Sequence, residues 1–203
     1  MQYQRKVFER FLTREQERQL FKAVKSVSGI VAKRDCAFMQ LLRHSGIRVG
    51  ALAGLTVYDA RRAIKDHVLR VRADISKGQK AYKVRLAKPG VKALKALLKV
   101  RKDQGHCDDL SAPLLMSRQG GQCLSVRSIQ DRIKYWREFA GLDVALSAHW
   151  FRHTFGQRIM DTSEARDPQA IVMLQLGHSD RKSTQVYTLP TFEEIDNSME
   201  QQG

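Results

Sequence analysis

Ser147-Ala148-His149-Trp150-Phe151-Arg152-His153-Thr154-Phe155 sets two histidines four residues apart with an arginine between them. At helical spacing His149 shares a face with His153, and also with Arg152. The first pairing has the geometry of a His-Glu-x-x-His zinc helix. Trp150, however, stands where that motif places its general base, and no carboxylate partner replaces it. The second pairing suits a phosphate, because a guanidinium fork can meet two phosphate oxygens and an imidazole can donate a hydrogen bond or move a proton near neutral pH. Phe151 and Phe155 fall on the other side, where they can anchor the helix in a core. A lone His-x-x-Arg is common by chance, so its meaning depends on the rest of the chain.

The rest of the chain is basic. Its 203 residues carry 36 Lys and Arg against 21 Asp and Glu, a net charge of +15. A chain of this length forms one domain that buries roughly 70% of its unfolded surface without staples. The basic residues run along most of it, as in Arg61-Arg62 and Lys92, Lys95, Lys99, Arg101 and Lys102. A folded domain so charged is drawn to a polyanion, most simply a nucleic-acid backbone. Cys36, Cys107 and Cys123 are odd in number and far apart, which argues against a zinc knuckle and against a disulfide framework. Nothing resembles a signal peptide and no apolar run is long enough to span a membrane.

Local signals give a mainly helical α+β chain with a small antiparallel sheet. Thr13 and Gln16 form a capping box that opens a helix to about Val27, with Leu20, Phe21, Val24 and Val27 as its apolar stripe. A second helix is predicted from Ala32 to His44, stopped by Gly46. Extended segments at Val68–Ile75 and Ala81–Leu86 flank Ser76-Lys77-Gly78-Gln79-Lys80, a hairpin turn. A lysine-rich helix follows Pro89-Gly90, and Ser125 caps another that reaches Gly141. Further helices are expected near 149–161, 168–177 and 182–187, with a short acidic one near 191–199.

Other pieces of a phosphoryl-transfer site occur in order. Gly46-Ile47-Arg48 puts an arginine just after a helix-ending glycine, and Leu176-Gly177-His178 puts a histidine after another. Tyr187 follows nine residues beyond His178. With Lys77-Gly78-Gln79-Lys80 and His149-x-x-Arg152, this set resembles the catalytic domain of the tyrosine recombinases, the integrase and Xer-like family, from about Phe11 to Thr188. The resemblance implies an arm at 1–10, a catalytic domain at 11–190 and a tail at 191–203. It also implies site-specific cutting and rejoining of duplex DNA, for integration, excision, inversion or resolution. Tyr187 would be the nucleophile of a 3′-phosphotyrosine intermediate. Arg48 and Arg152 would clamp the phosphate, His149 would relay the tyrosine proton, His178 would bind a phosphate oxygen, and Lys77 (or Lys80) would protonate the leaving oxygen. His153 would support the site, while His44, His67 and His106 read as surface residues. No metal and no cofactor are implied. The implied partners are double-stranded DNA, further copies of the chain in a tetramer on DNA, and accessory DNA-bending proteins, all in a bacterial cytoplasm.

Two features depart from the family pattern. Many members carry an acidic residue three positions after the first arginine, where this chain has Ala51, with Asp59 lying farther on. Most integrases also have a helical DNA-binding domain ahead of the catalytic one, so the chain reads as a short member, like the recombinases that invert fimbrial promoter switches, or as a catalytic fragment. Two other functions stay open: a DNA-binding accessory protein of the same fold with weak or lost catalysis, and a type IB topoisomerase-like enzyme.

Overall fold

A computed structural model describes residues 10–117, 122–178, 182–185 and 187. Helix α1 (Arg14–Ser26) opens on the expected reciprocal cap, in which Thr13 Oγ1 accepts from the Gln16 amide and Gln16 Oε1 accepts from the Thr13 amide. Helix α2 (Ile30–Ser45) ends at Gly46, whose φ of +63° turns the chain sharply out of the helix. Two helices follow that local signals had not suggested, α3 (Val49–Ala53) and α4 (Val57–Asp66). The first is too short for a periodic pattern to show. The second begins at a Thr56–Asp59 capping box, built with aspartate in place of the usual glutamate or glutamine.

Strands β1 (Val68–Val71) and β2 (Tyr82–Arg85) pair antiparallel, with Val71 opposite Tyr82 at the rung nearest the loop. The extended segments are thus shorter than expected. The chain leaves β1 after Val71 and makes two tight turns, Ser76 N–H to Ala73 C=O and Gln79 N–H to Ser76 C=O, around Lys77 and Gly78. Helix α5 (Lys88–Asp103) has Pro89 in its first turn. Helix α6 (Val126–Phe139) is capped by Ser125, whose Oγ accepts from the Ser128 amide. Helices α7 (Ala148–Thr162), α8 (Pro168–Leu176) and α9 (Lys182–Gln185) complete the described chain. The acidic helix expected near 191–199 lies outside the described residues. The α+β class expected from the sequence holds: a helical domain carrying one two-stranded sheet among the described residues.

Helix α2 is the axle of the fold. It packs on α1, α5, α6 and α7, and Phe38, Met39, Leu41 and Leu42 along it are fully buried with Phe151 and Trp136. Burial of such side chains, roughly 1.5–3 kcal/mol each, supplies most of the stability. A smaller cluster, Val172, Leu176 and Tyr187 with Phe155, Ile159 and Met160, joins α7, α8 and the segment after α9.

The core also contains charge. Asp35, fully buried, accepts from Arg34 Nη2 at 2.9 Å, Arg132 Nε at 2.5 Å and Trp136 Nε1 at 2.9 Å, while Arg34 Nη1 reaches the Met116 carbonyl at 3.3 Å. One carboxylate therefore locks α2 to α6. Removing it strands two guanidiniums with little water, a situation that costs about 3–5 kcal/mol. Asp35→Ala should lower the urea unfolding free energy by that amount, and a loss under about 1 kcal/mol would mean that the arginines find other partners.

Candidate active site

Five separate segments deliver the candidate residues, and two glycines control how closely they approach. Gly46 ends α2 in the left-handed conformation, and a Cβ there would come within 2.5 Å of Phe155 Cδ1 and 2.6 Å of Leu176 Cδ2. Gly177 ends α8 at φ +61°, and a Cβ there would meet the ring of Tyr82 at 2.5 Å. Any side chain at either place would push α2, α7 and β2 away from the end of α8.

Arg152 fills the space so created. It is 2% exposed. Its Nη1 donates to the Gly46 carbonyl at 2.7 Å and its Nη2 to the Leu176 carbonyl at 2.6 Å. Both acceptors lie at helix C-terminal ends, where the unpaired carbonyls concentrate partial negative charge. Burial, followed by repulsion from Arg48, lowers the Arg152 pKa to about 10. The guanidinium stays charged at neutral pH, with no carboxylate bonded to it among the described residues. Such a charge, held by dipoles only, is available to an anion.

Arg48 caps α3 from an extended conformation and is partly exposed. Among the described residues it has no hydrogen-bond or ion-pair partner, and its charge acts on His149, Arg152 and Tyr187. Ala51 is buried against the core in this region. Asp59 does not stand in as a support for Arg48. Its carboxylate caps α4 through Thr56 and pairs with Arg72, which also donates to the Gly54 carbonyl.

His149 and His153 form an edge-to-face pair, ring centroids 4.4 Å apart, and the His153 ring lies 5.6 Å from that of Tyr187. The neighbour of the tyrosine ring is thus His153 rather than His149, a placement the sequence motif did not suggest. His149 reaches the surface. Loss of water around part of its ring, then Arg152, Arg48, Arg10 and Lys77, lower its pKa. Lys77, exposed on the hairpin tip, therefore shares the field of the helix residues. His153 is pushed down to about 4 by burial first, then by His149, Arg152, Arg10 and His178. Near pH 7 both imidazoles are neutral and able to accept a proton.

Tyr187 is 6% exposed, with its ring against Gly156 of α7, where a Cβ would approach Cε1 to 2.7 Å. Burial raises its pKa to about 12, against the pull of Arg152 and Arg48. The phenol is neutral and needs a base to become a nucleophile. His178 sits just beyond the α8 cap, and its Nδ1 lies 3.1 Å from Thr184 Oγ1, linking the histidine to α9. Of the histidines read as surface residues, His67 is exposed, whereas His44 and His106 are partly buried. Among the described residues no cluster of three His, Cys, Asp or Glu could hold a metal ion, and no helix is long and apolar enough to cross a membrane.

The depressed His153 pKa has a consequence for stability. The unfolded chain takes up this proton near pH 6.5, whereas the folded chain resists it down to about 4. This contribution is present in full above pH 6.5 and is lost as pH falls through the window from 6.5 to 4. His153→Gln should flatten the stability profile in that window by on the order of 1–3 kcal/mol, read as the difference in urea midpoint between pH 7.5 and 4.5.

Comparisons with known proteins identify the family. The model of the phage integrase family matches residues 10–194. The tyrosine recombinase XerC of Shewanella amazonensis is 35% identical over 165 residues, which are 81% of this chain and 52% of that protein. The tyrosine recombinase XerD of Proteus mirabilis is 35% identical over 159 residues, 76% of this chain and 47% of that protein. The chain thus spans about half the length of these relatives. Among solved structures, XerA recombinase superposes over 95% of this chain and 63% of its own with a TM-score of 0.74 at 24% identity. XerH site-specific recombinase bound to its difH substrate gives 0.67 at 21% identity, over 92% of this chain and 52% of its own. These two likenesses show the fold. Family model, relatives and fold together place the chain in the phage integrase family, among proteins similar to the Xer tyrosine recombinases.

Proposed function

We propose that this chain carries the catalytic unit of a site-specific recombinase that cuts and rejoins duplex DNA through Tyr187. The observation that carries the reading is a buried phenol within the field of two arginines, neither of which is paired with a carboxylate among the described residues. An arrangement of this kind favours a phosphodiester, whose non-bridging oxygens gain charge as a fifth ligand approaches phosphorus. Arg48 and Arg152 hold those oxygens. The Tyr187 oxygen forms the new bond to phosphorus, its proton passes to the neutral His149–His153 imidazole pair, of which His153 lies beside the tyrosine ring, and the 5′-oxygen departs with a proton from Lys77. His178 donates to a phosphate oxygen. The phosphotyrosine conserves the energy of the broken bond, so a 5′-hydroxyl from another strand reverses the step and exchange results.

Duplex DNA is the partner that the +15 charge supports. Strand exchange between two duplexes calls for four protomers on DNA, with DNA-bending proteins as helpers. In this scheme residues 1–10 are an arm, 11–190 the catalytic domain and 191–203 a tail. One observation favours a second reading: Arg48 has no supporting carboxylate among the described residues, as suits an accessory DNA-binding protein with weak catalysis.

A single experiment separates the two. The protein is incubated with a library of randomised duplexes carrying one nick, so that cleavage near the nick releases a short strand and traps the adduct. Denaturation-resistant protein–DNA adducts are then captured and sequenced. The recombinase reading expects adducts at a defined sequence, lost at least a thousandfold in Tyr187→Phe and reduced at least a hundredfold in Arg152→Lys, which loses the two-pronged grip. DNA binding without any adduct would favour the accessory reading, and an adduct that persists in Tyr187→Phe would displace Tyr187 as nucleophile.

A further inference from the structure

Tyr82 sits on β2 directly opposite Val71, five residues after the hairpin-tip Lys77. Its ring lies flat on Gly177, so closely that not even a methyl group would fit between them. Beyond the ring, Oη is sealed from solvent. It lies beside the Arg152 guanidinium, close enough to act on it and favour its charged form, yet among the described residues it has no partner that meets full hydrogen-bond geometry. A sealed, unpaired hydroxyl is unfavourable, and phenylalanine would fill the same space without it. The hydroxyl must therefore contribute something that packing does not.

The same strand is fastened to α8 at a second point, where the Arg85 amide donates to Gln175 Oε1 at 3.0 Å. Strand β2 thus contacts α8 through Gln175 and the α8 cap through Gly177. Arg152 binds the Leu176 carbonyl between those two points. Two of its hydrogen bonds go to backbone carbonyls, and rotation of the fork about its own axis is limited by whatever lies beside it.

We propose that Tyr82 is a positioning residue of the site. Its ring holds the Gly177 turn against the hairpin strand, and its hydroxyl completes a hydrogen bond with Arg152 when the guanidinium turns toward a bound phosphate. The strand that bears the hairpin lysine thereby sets the orientation of the arginine that grips the phosphate. This role rests on the recombinase reading, in which the hairpin and Arg152 act on the same phosphodiester.

The test compares Tyr82→Phe, which keeps the ring, with Tyr82→Leu, which does not. Three quantities are measured: melting temperature, DNA dissociation constant, and single-turnover adduct formation at saturating nicked DNA. For Tyr82→Phe the expected result is a melting temperature equal to or above wild type, unchanged DNA affinity, and adduct formation about five- to tenfold slower. Tyr82→Leu should lose both melting temperature and rate. In protein labelled with ¹⁵N at arginine and held in excess inorganic phosphate, the Arg152 Nη signals should move or broaden in Tyr82→Phe, a readout that needs no DNA. Wild-type adduct rates in Tyr82→Phe would overturn the proposal, as would a rate loss that merely follows a loss of melting temperature. Unperturbed Arg152 signals would overturn it as well. If the wild-type protein forms no adduct while the Arg152 signals respond, the recombinase reading fails and the Tyr82–Arg152 tie stands.

Discussion

The architecture depends on one buried cation. Arg152 sits at the meeting point of the C-terminal ends of α2 and α8, and each helix end offers it a backbone carbonyl. Helix C-termini repel one another if brought together bare, since both are electronegative. A guanidinium between them reverses that repulsion and fixes their separation to the span of its two Nη groups. The dipoles offset part of the desolvation cost but carry no full negative charge, so the pocket keeps a net positive potential. A carboxylate in the same place would have stabilised the arginine better and left nothing for a ligand.

Asp35 solves the converse problem elsewhere in the same core. There the buried charge is an anion, and two arginines and an indole N–H satisfy it. There both guanidiniums are bonded to the carboxylate between them, and the network joins α2 to α6. The contrast explains why, of these two buried ionic centres, only one is a candidate for chemistry. Arg48, without a carboxylate partner among the described residues, extends the positive pocket, and Asp59 is held away from it by Arg72 and the α4 cap.

Features that live in local chemistry were legible in the sequence. Thr13, Ser125, Gly46 and Gly177 announce helix ends because a capping hydroxyl or a left-handed turn requires particular side chains. The motif residues of the site were legible as well, and the structure brings Arg48, Lys77, His149, Arg152 and Tyr187 into one electrostatic field. The rest depends on backbone or on distant partners. The ligands of Arg152 are carbonyl oxygens, which no residue type reveals. Arg34-Asp35 looks like a solvated pair until Arg132 and Trp136 arrive from about a hundred residues away. The five residues of α3 make little more than one turn, too few to express a period. His153 meets Tyr187 only because Gly156 lets the ring rest on α7.

The segment that leads into α1 is sewn to α7, the helix that bears the candidate site residues. The Leu12 amide donates to Thr154 Oγ1 at 2.8 Å across 142 residues, and Leu12 itself is fully buried. During synthesis that amide has no native partner until residue 154 has emerged. The segment that leads into α1, whose capping residue Thr13 comes directly after Leu12, stays unfastened until then. Ribosomal elongation at about 5–20 residues per second makes that interval roughly seven to thirty seconds. Helix α1 can dock on α2 long before then. What comes late is the closure, when the helix that bears Arg152 arrives to fasten the segment ahead of α1.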